Sequence, residues 1–141
     1  MEDKLYDNYS GALSSIRSSG GWMKFLAILM YVGAFFMLLI AVFAIIGSSF
    51  MLNALEKSPA LAALSFAPAV IGIVFLIIAF VIGLLAYWMH TSGSGASKIG
   101  PMQVEAGIIQ YASNFRKYLV FSFVISILGL LGSIIALIAI F

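Results

Sequence analysis

An all-α membrane protein, with three transmembrane helices plus a cytoplasmic amphipathic helix continuous with the third span, is the fold class the sequence predicts. Three observations predict it. Charged residues make up 9% of the 141 and hydrophobic ones 64%, whereas a soluble domain carries about 25% charged residues. The apolar residues are gathered into three runs long enough to cross lipid. Basic residues cluster at the ends of those runs that a three-pass topology brings to one side of the bilayer.

Residues 1–21 are polar, begin Met1-Glu2-Asp3-Lys4 and end in Ser18-Ser19-Gly20-Gly21. Tyr6, Tyr9, Leu13 and Ile16 recur at helical spacing, which fits a short helix on the cytoplasmic face; a frayed terminus fits as well. The first span is expected at residues 22–50. Residues 25–50 carry no charge, and those 26 residues make a helix of roughly 39 Å against a hydrocarbon core of about 30 Å. A cleavable signal has an apolar run of only 7–15 residues behind a basic start, so this run is read as a retained span.

Glu56 and Lys57 interrupt the apolar sequence, and each costs roughly 2.5–3.5 kcal/mol at the bilayer centre. Residues 51–67 are therefore expected to form an outer loop. Ser58 and Pro59 suit a helix cap and first turn, opening a short interfacial helix with Leu61, Leu64 and Phe66. The second span is expected at 68–90, opening at Pro68 and closing on Tyr87, Trp88 and His90, rings that favour the headgroup level. Residues 91–100, Thr-Ser-Gly-Ser-Gly-Ala-Ser-Lys-Ile-Gly, have the composition of a flexible linker. A cytoplasmic amphipathic helix is expected at 101–117, with Val104, Ile108, Tyr111, Ala112 and Phe115 on its apolar face, running into a third span at 118–141. Little soluble mass is expected beyond that span.

Orientation follows from Lys and Arg. Lys4, Arg17 and Lys24 precede span one; Lys98, Arg116 and Lys117 lie between spans two and three; only Lys57 lies between spans one and two. Six against one predicts a cytoplasmic N-terminus and an outer C-terminus in the cell inner (cytoplasmic) membrane. Trp22, Tyr87, Trp88 and Tyr118 fall on that same side. Lys24, Arg116 and Lys117 are candidate contacts for anionic lipid headgroups.

Small residues repeat at seven: Ala27, Ala34, Ala41 and Ser48 in span one; Gly72, Ala79 and Ala86 in span two, with Gly83 four after Ala79; Ser122, Gly129 and Ala136 in span three, beside Ser126 and Ser133. Small residues let backbones approach in lipid, and a seven-residue period favours left-handed crossings near +20°. These seams either pack the three spans together or present at least one face to another chain.

Reactive constellations are absent from the sequence. No Asp, Glu, Lys, Arg or His lies within the three cores, which argues against a proton-coupled path, a charged filter or a membrane-embedded metalloenzyme. With no cysteine, disulfides and thiolate chemistry are excluded. His90 has no second ligand within sequence reach. Ser-Gly-Ser-Gly at 92–95 lacks the lysine of a phosphate-binding loop. Glu56 and Glu105 fall on opposite sides of the membrane and form no carboxylate pair. The scattered basic residues do not make a nucleic-acid face.

Gly21-Trp22-Met23-Lys24-Phe25-Leu26-Ala27-Ile28-Leu29, with the entry Phe115-Arg116-Lys117-Tyr118, resembles a family of small bacterial membrane proteins catalogued as a domain of unknown function. The likeness covers most of residues 12–140. It implies the order of a Trp-x-x-Phe-Leu start, a variable outer loop, a second span, an amphipathic cytoplasmic helix and a basic-aromatic entry to the last span. Members commonly have a longer, more charged segment where this chain has 92–100. The resemblance implies no activity, cofactor or site residue.

The sequence thus predicts a non-enzymatic chain without cofactor or metal, whose partners are membrane lipid and other membrane chains. An accessory or assembly-forming subunit is the leading reading; a homo-oligomeric pore of the holin kind is the alternative.

Overall fold

A computed structural model describes the backbone of residues 2–55 and 59–140, and the side chains of Lys4, residues 7–50, residues 68–135 and Ile138. The described residues form three α-helices: α1 (Glu2–Leu55), α2 (Pro59–Lys98) and α3 (Val104–Ile140). Each holds a stretch long and apolar enough to cross a membrane, Asp7–Phe50, Pro68–Lys98 and Val104–Ile135. The chain is a multi-pass α-helical membrane protein. The 54 residues of α1 rise roughly 80 Å, well over the thickness of a bilayer, so a large part of the helix lies outside the hydrocarbon. Tyr9, with φ −119° and ψ 18°, kinks α1 near its start.

Burial is inverted relative to a water-soluble domain. Phe43 and Phe50 are each 72% exposed and Phe80 is 70% exposed, whereas Ala27, Ala41, Ala86 and Ala96 are fully buried. In water, large apolar side chains are driven inside. In lipid that force vanishes, and helix contacts go to the residues that allow backbones closest together.

The chain divides into two compact units, Met1–Ala27 with Leu85–Phe141, and Ile28–Leu84. In the second, α1 meets α2 at Gly72: a Cβ there would fall 2.6 Å from Cγ1 of Ile45 and 2.9 Å from the Ala41 carbonyl oxygen. Ala41 and Ala79 are buried in this unit, and Ala34, Phe35, Leu38, Leu76, Ala79 and Phe80 line one groove.

The first unit packs parts of all three helices. Leu13, Ile99 and Val104 form one buried cluster, flanked by Ile16 and Ile108. Met23, Ala27 and Met89 form another, covered by Tyr111, Phe115 and Tyr118. Glycine sets the spacing. A Cβ on Gly93 would lie 2.8 Å from the Gly20 carbonyl oxygen of α1, and one on Gly95 would lie 2.6 Å from the Tyr111 backbone nitrogen of α3. On α3, Gly107 admits Ile99 in the same way, at 2.9 Å.

These contacts overturn the expectation of a flexible linker at 91–100. Residues 91–98 are the last two turns of α2, and Ser92, Gly93, Gly95 and Ala96 are all buried. Each glycine costs about 1 kcal/mol in a helix relative to alanine, but here two glycines on different faces let α2 lie against α1 and α3 at once. The hydroxyls are absorbed too. Thr91 and Ser97 donate to the Tyr87 and Gly93 carbonyls of their own helix at 2.8 and 2.9 Å. Among the described residues no buried side-chain polar atom lacks a partner, as close packing in a dry interior requires.

Two boundaries also move. Pro68 lies inside α2, which begins at Pro59, so the proposed short helix and the second span are one helix. Pro101 does not open α3. It follows Gly100, whose carbonyl accepts the Gln103 N–H at 3.1 Å, and this is the second position of a turn, where proline's fixed φ is favoured. The helix starts at Val104 and continues unbroken through the expected entry to the third span. Glu56, Lys57 and Ser58 lie outside the described residues, as do the side chains of 51–67, including Leu61, Leu64 and Phe66.

Candidate functional site

The most chemically differentiated surface lies in the first unit, where α2 ends its apolar run and α3 begins its own. Trp88, Ser113, Arg116, Lys117, Val120, Phe121 and Val124 line an open groove of about 570 Å³. Helical spacing explains the set. Residues 113, 116, 117, 120, 121 and 124 recur at three and four along α3, so they share one face. Trp88 closes the groove from α2, its indole edge-on to Phe121 with centroids 5.2 Å apart and planes at 84°, a favoured aromatic arrangement.

The groove changes character along its length. Ser113, Arg116 and Lys117 supply a hydroxyl and two cations; Val120, Phe121 and Val124 supply only hydrocarbon. From 113 to 124 the rise is roughly 16 Å. No carboxylate lines it. Behind it, Tyr111, Phe115 and Tyr118 stack in sequence, with centroids 5.5 and 6.2 Å apart and planes within 12°, and pack on Met23, Ala27 and Met89. The aromatic ladder fixes the rotation of α3 and so points Arg116 and Lys117 outward.

Polar contacts tie α2 to α3 just above. Buried Ser92 donates to the Tyr111 carbonyl at 2.9 Å. Gln110 donates through Nε2 to the Thr91 carbonyl at 3.3 Å and accepts from Lys98 Nζ at 3.2 Å. Lys98, itself exposed, is thereby tied to α3, whereas Arg116 and Lys117, also exposed, line the groove. Among the described residues no three His, Asp or Glu side chains group as metal ligands would.

The residues singled out from sequence separate into three sets. Ala27, Ala41, Gly72, Ala79 and Ala86 are buried and Ala34 is half-buried; Gly83 is half-buried with nothing within 4 Å of a Cβ placed on it. Of the headgroup candidates, Arg116 and Lys117 line the groove and Lys24, half-buried on α1, does not. Of the third-span seam, Ser122 is half-buried, Gly129 is exposed with open space around it, and the Ala136 side chain is outside the described residues. From 119 to 135 no described residue is buried.

Gly20, Ser92, Gly93, Gly95 and Gly107 escaped notice as contact residues. A signal for two of them existed. The seven-residue repeat through Ala27 reaches Gly20 one step earlier, and the repeat through Ala86 reaches Gly93 one step later.

Three helices long and apolar enough to cross a membrane, with small residues at their contacts, define a multi-pass α-helical membrane protein. No family model, curated protein or solved structure matches the chain.

Proposed function

We propose that this chain is a non-catalytic subunit of a membrane complex, held to its neighbours through α3. One observation carries the reading: residues 119–135 form a membrane-length helical surface with no buried residue. Along it Ser122, Ser126, Gly129 and Ser133 recur at three and four, the spacing of a face that admits another helix closely. The hydroxyls of Ser126 and Ser133 donate to the Ser122 and Gly129 carbonyls at 2.8 and 2.9 Å, so these two donors are satisfied within their own helix. The amphipathic first turns of α3 lie on the cytoplasmic side, the N-terminus is cytoplasmic and the end of α3 is outside. The positive-inside tally supports this orientation, and all six residues on its majority side belong to the first unit. The proposed location is the cell inner membrane.

The chain has no cysteine, so a Gly129→Cys variant carries a single thiol. Cross-linking in native membranes, followed by mass spectrometry of the adduct, tests the reading. Capture of a different membrane chain supports a subunit of a hetero-complex, and capture of a second copy supports self-assembly. A thiol that remains uncoupled in membranes contradicts the proposal. The pore reading is separated by dye release from liposomes containing purified protein: the subunit reading expects none, a pore rapid release.

A further inference from the structure

We infer that the groove between α2 and α3 is a seat for one anionic phospholipid, with its phosphate at Ser113, Arg116 and Lys117 and an acyl chain along Val120, Phe121 and Val124 under Trp88. The surface matches an amphiphile in order as well as in composition. Two cations and a hydroxyl stand at one end, an aromatic and two branched aliphatics at the other, within roughly 16 Å of one helix. A solvated anion would have no use for the apolar length, and an apolar helix none for two cations. The groove has no carboxylate to neutralise Arg116 and Lys117, so their charge is available to the ligand. Arginine binds phosphate oxygens in a planar fork and lysine as a point charge. The groove volume of about 570 Å³ accommodates a headgroup and the first part of a chain, leaving the remainder in bulk lipid. This goes beyond general attraction of a basic rim to an acidic leaflet, because it requires shape at 120–124 in addition to charge at 116 and 117.

The experiment uses the full chain in detergent, titrated with phosphatidylglycerol or phosphatidylcholine and read by native mass spectrometry. One phosphatidylglycerol is expected to bind per chain in preference to phosphatidylcholine. The double variant Arg116→Gln/Lys117→Gln is expected to weaken it roughly 30-fold, from about 1 kcal/mol per cation. Lys4→Gln/Arg17→Gln removes equal charge at two exposed positions outside the groove and is expected to leave binding unchanged. Val124→Trp fills the apolar end and is expected to cost roughly tenfold, the loss of about two buried methylenes. Equal binding of both lipids, equal loss in the two charge variants, or full binding by Val124→Trp overturns the site in favour of a diffuse rim.

A second readout needs no change in the groove. The chain has two tryptophans, Trp22 and Trp88. In a Trp22→Phe variant, acyl-brominated phosphatidylglycerol at low mole fraction in phosphatidylcholine vesicles is expected to quench Trp88 beyond the level set by random contact. Brominated phosphatidylcholine at the same fraction gives that reference level. Quenching equal to the reference overturns the proposal.

Discussion

Substituting Gly95 by alanine sets two known effects against each other. In an isolated helix Gly→Ala stabilises by up to about 1 kcal/mol, because glycine has more backbone freedom to lose. At Gly95 the added methyl would lie 2.6 Å from the Tyr111 nitrogen and 3.0 Å from both the carbonyl carbon and Cβ of Gln110. Two of those three atoms are backbone, so relief requires moving α3 as a body, with the Ser92–Tyr111 and Gln110–Thr91 bonds moving too. Overpacking of this kind costs typically 1–3 kcal/mol, which leaves a net destabilisation of about 0–2 kcal/mol. Gly21 is the control: it is exposed, helical and has nothing within 4 Å of a Cβ placed on it. Gly21→Ala is therefore neutral or stabilising by up to about 1 kcal/mol. The assay is reversible unfolding in mixed micelles with increasing SDS, followed by circular dichroism. The account expects Gly95→Ala to unfold at lower SDS than wild type, and Gly21→Ala at equal or higher SDS. Gly95→Ala as stable as Gly21→Ala would refute the close approach of α2 to α3, and with it the helical reading of 91–98.

Other consequences follow from the same contacts. Gly72→Ala places a methyl 2.9 Å from the Ala41 carbonyl oxygen and is expected to destabilise by about 1 kcal/mol or more, whereas Gly83→Ala, with open space, does not; the same SDS titration compares them. Ser92→Ala removes an interhelical hydrogen bond at a fully buried site and is expected to cost about 0.6 kcal/mol, the average for such bonds in a membrane protein, and no more than about 1.7. Gly129→Leu is expected to leave the SDS midpoint of the isolated chain near wild type, because nothing lies within 4 Å there, while reducing cross-linked or co-purified complex in native membranes.

What was legible in the sequence is the part governed by transfer from water to lipid. Three charge-poor runs need no tertiary information, and the three helices follow from them. The heptads of α1 and α2 were legible too, because a contact seam between long helices must repeat with their geometry. The Ser-Gly-Ser-Gly segment was not. Glycine and serine break helices when nothing packs on them and permit the closest helix contacts when something does, so composition alone leaves the sign undecided. The repeat Gly72, Ala79, Ala86, Gly93 carried the deciding information past the end of the apolar run. The seam in α3 has the same sequence pattern as its counterparts yet remains exposed at Gly129. A seven-residue stripe states that a face can accept a helix and does not say which one. Arg116 and Lys117 were legible as exposed cations from their position ahead of the last apolar run. Their pairing with Trp88 and Phe121 required the aromatic ladder that fixes how α3 is turned.

The proposed topology is three crossings of the bilayer starting from the cytoplasm. Topology reporters fused at the two ends measure this directly in bacterial cells. Green fluorescent protein joined before Met1 is expected to fluoresce; joined after Phe141 it is expected to be dark, with alkaline phosphatase active at that position. A fluorescent fusion after Phe141 with inactive phosphatase would place both ends in the cytosol, an even number of crossings, and would contradict the account.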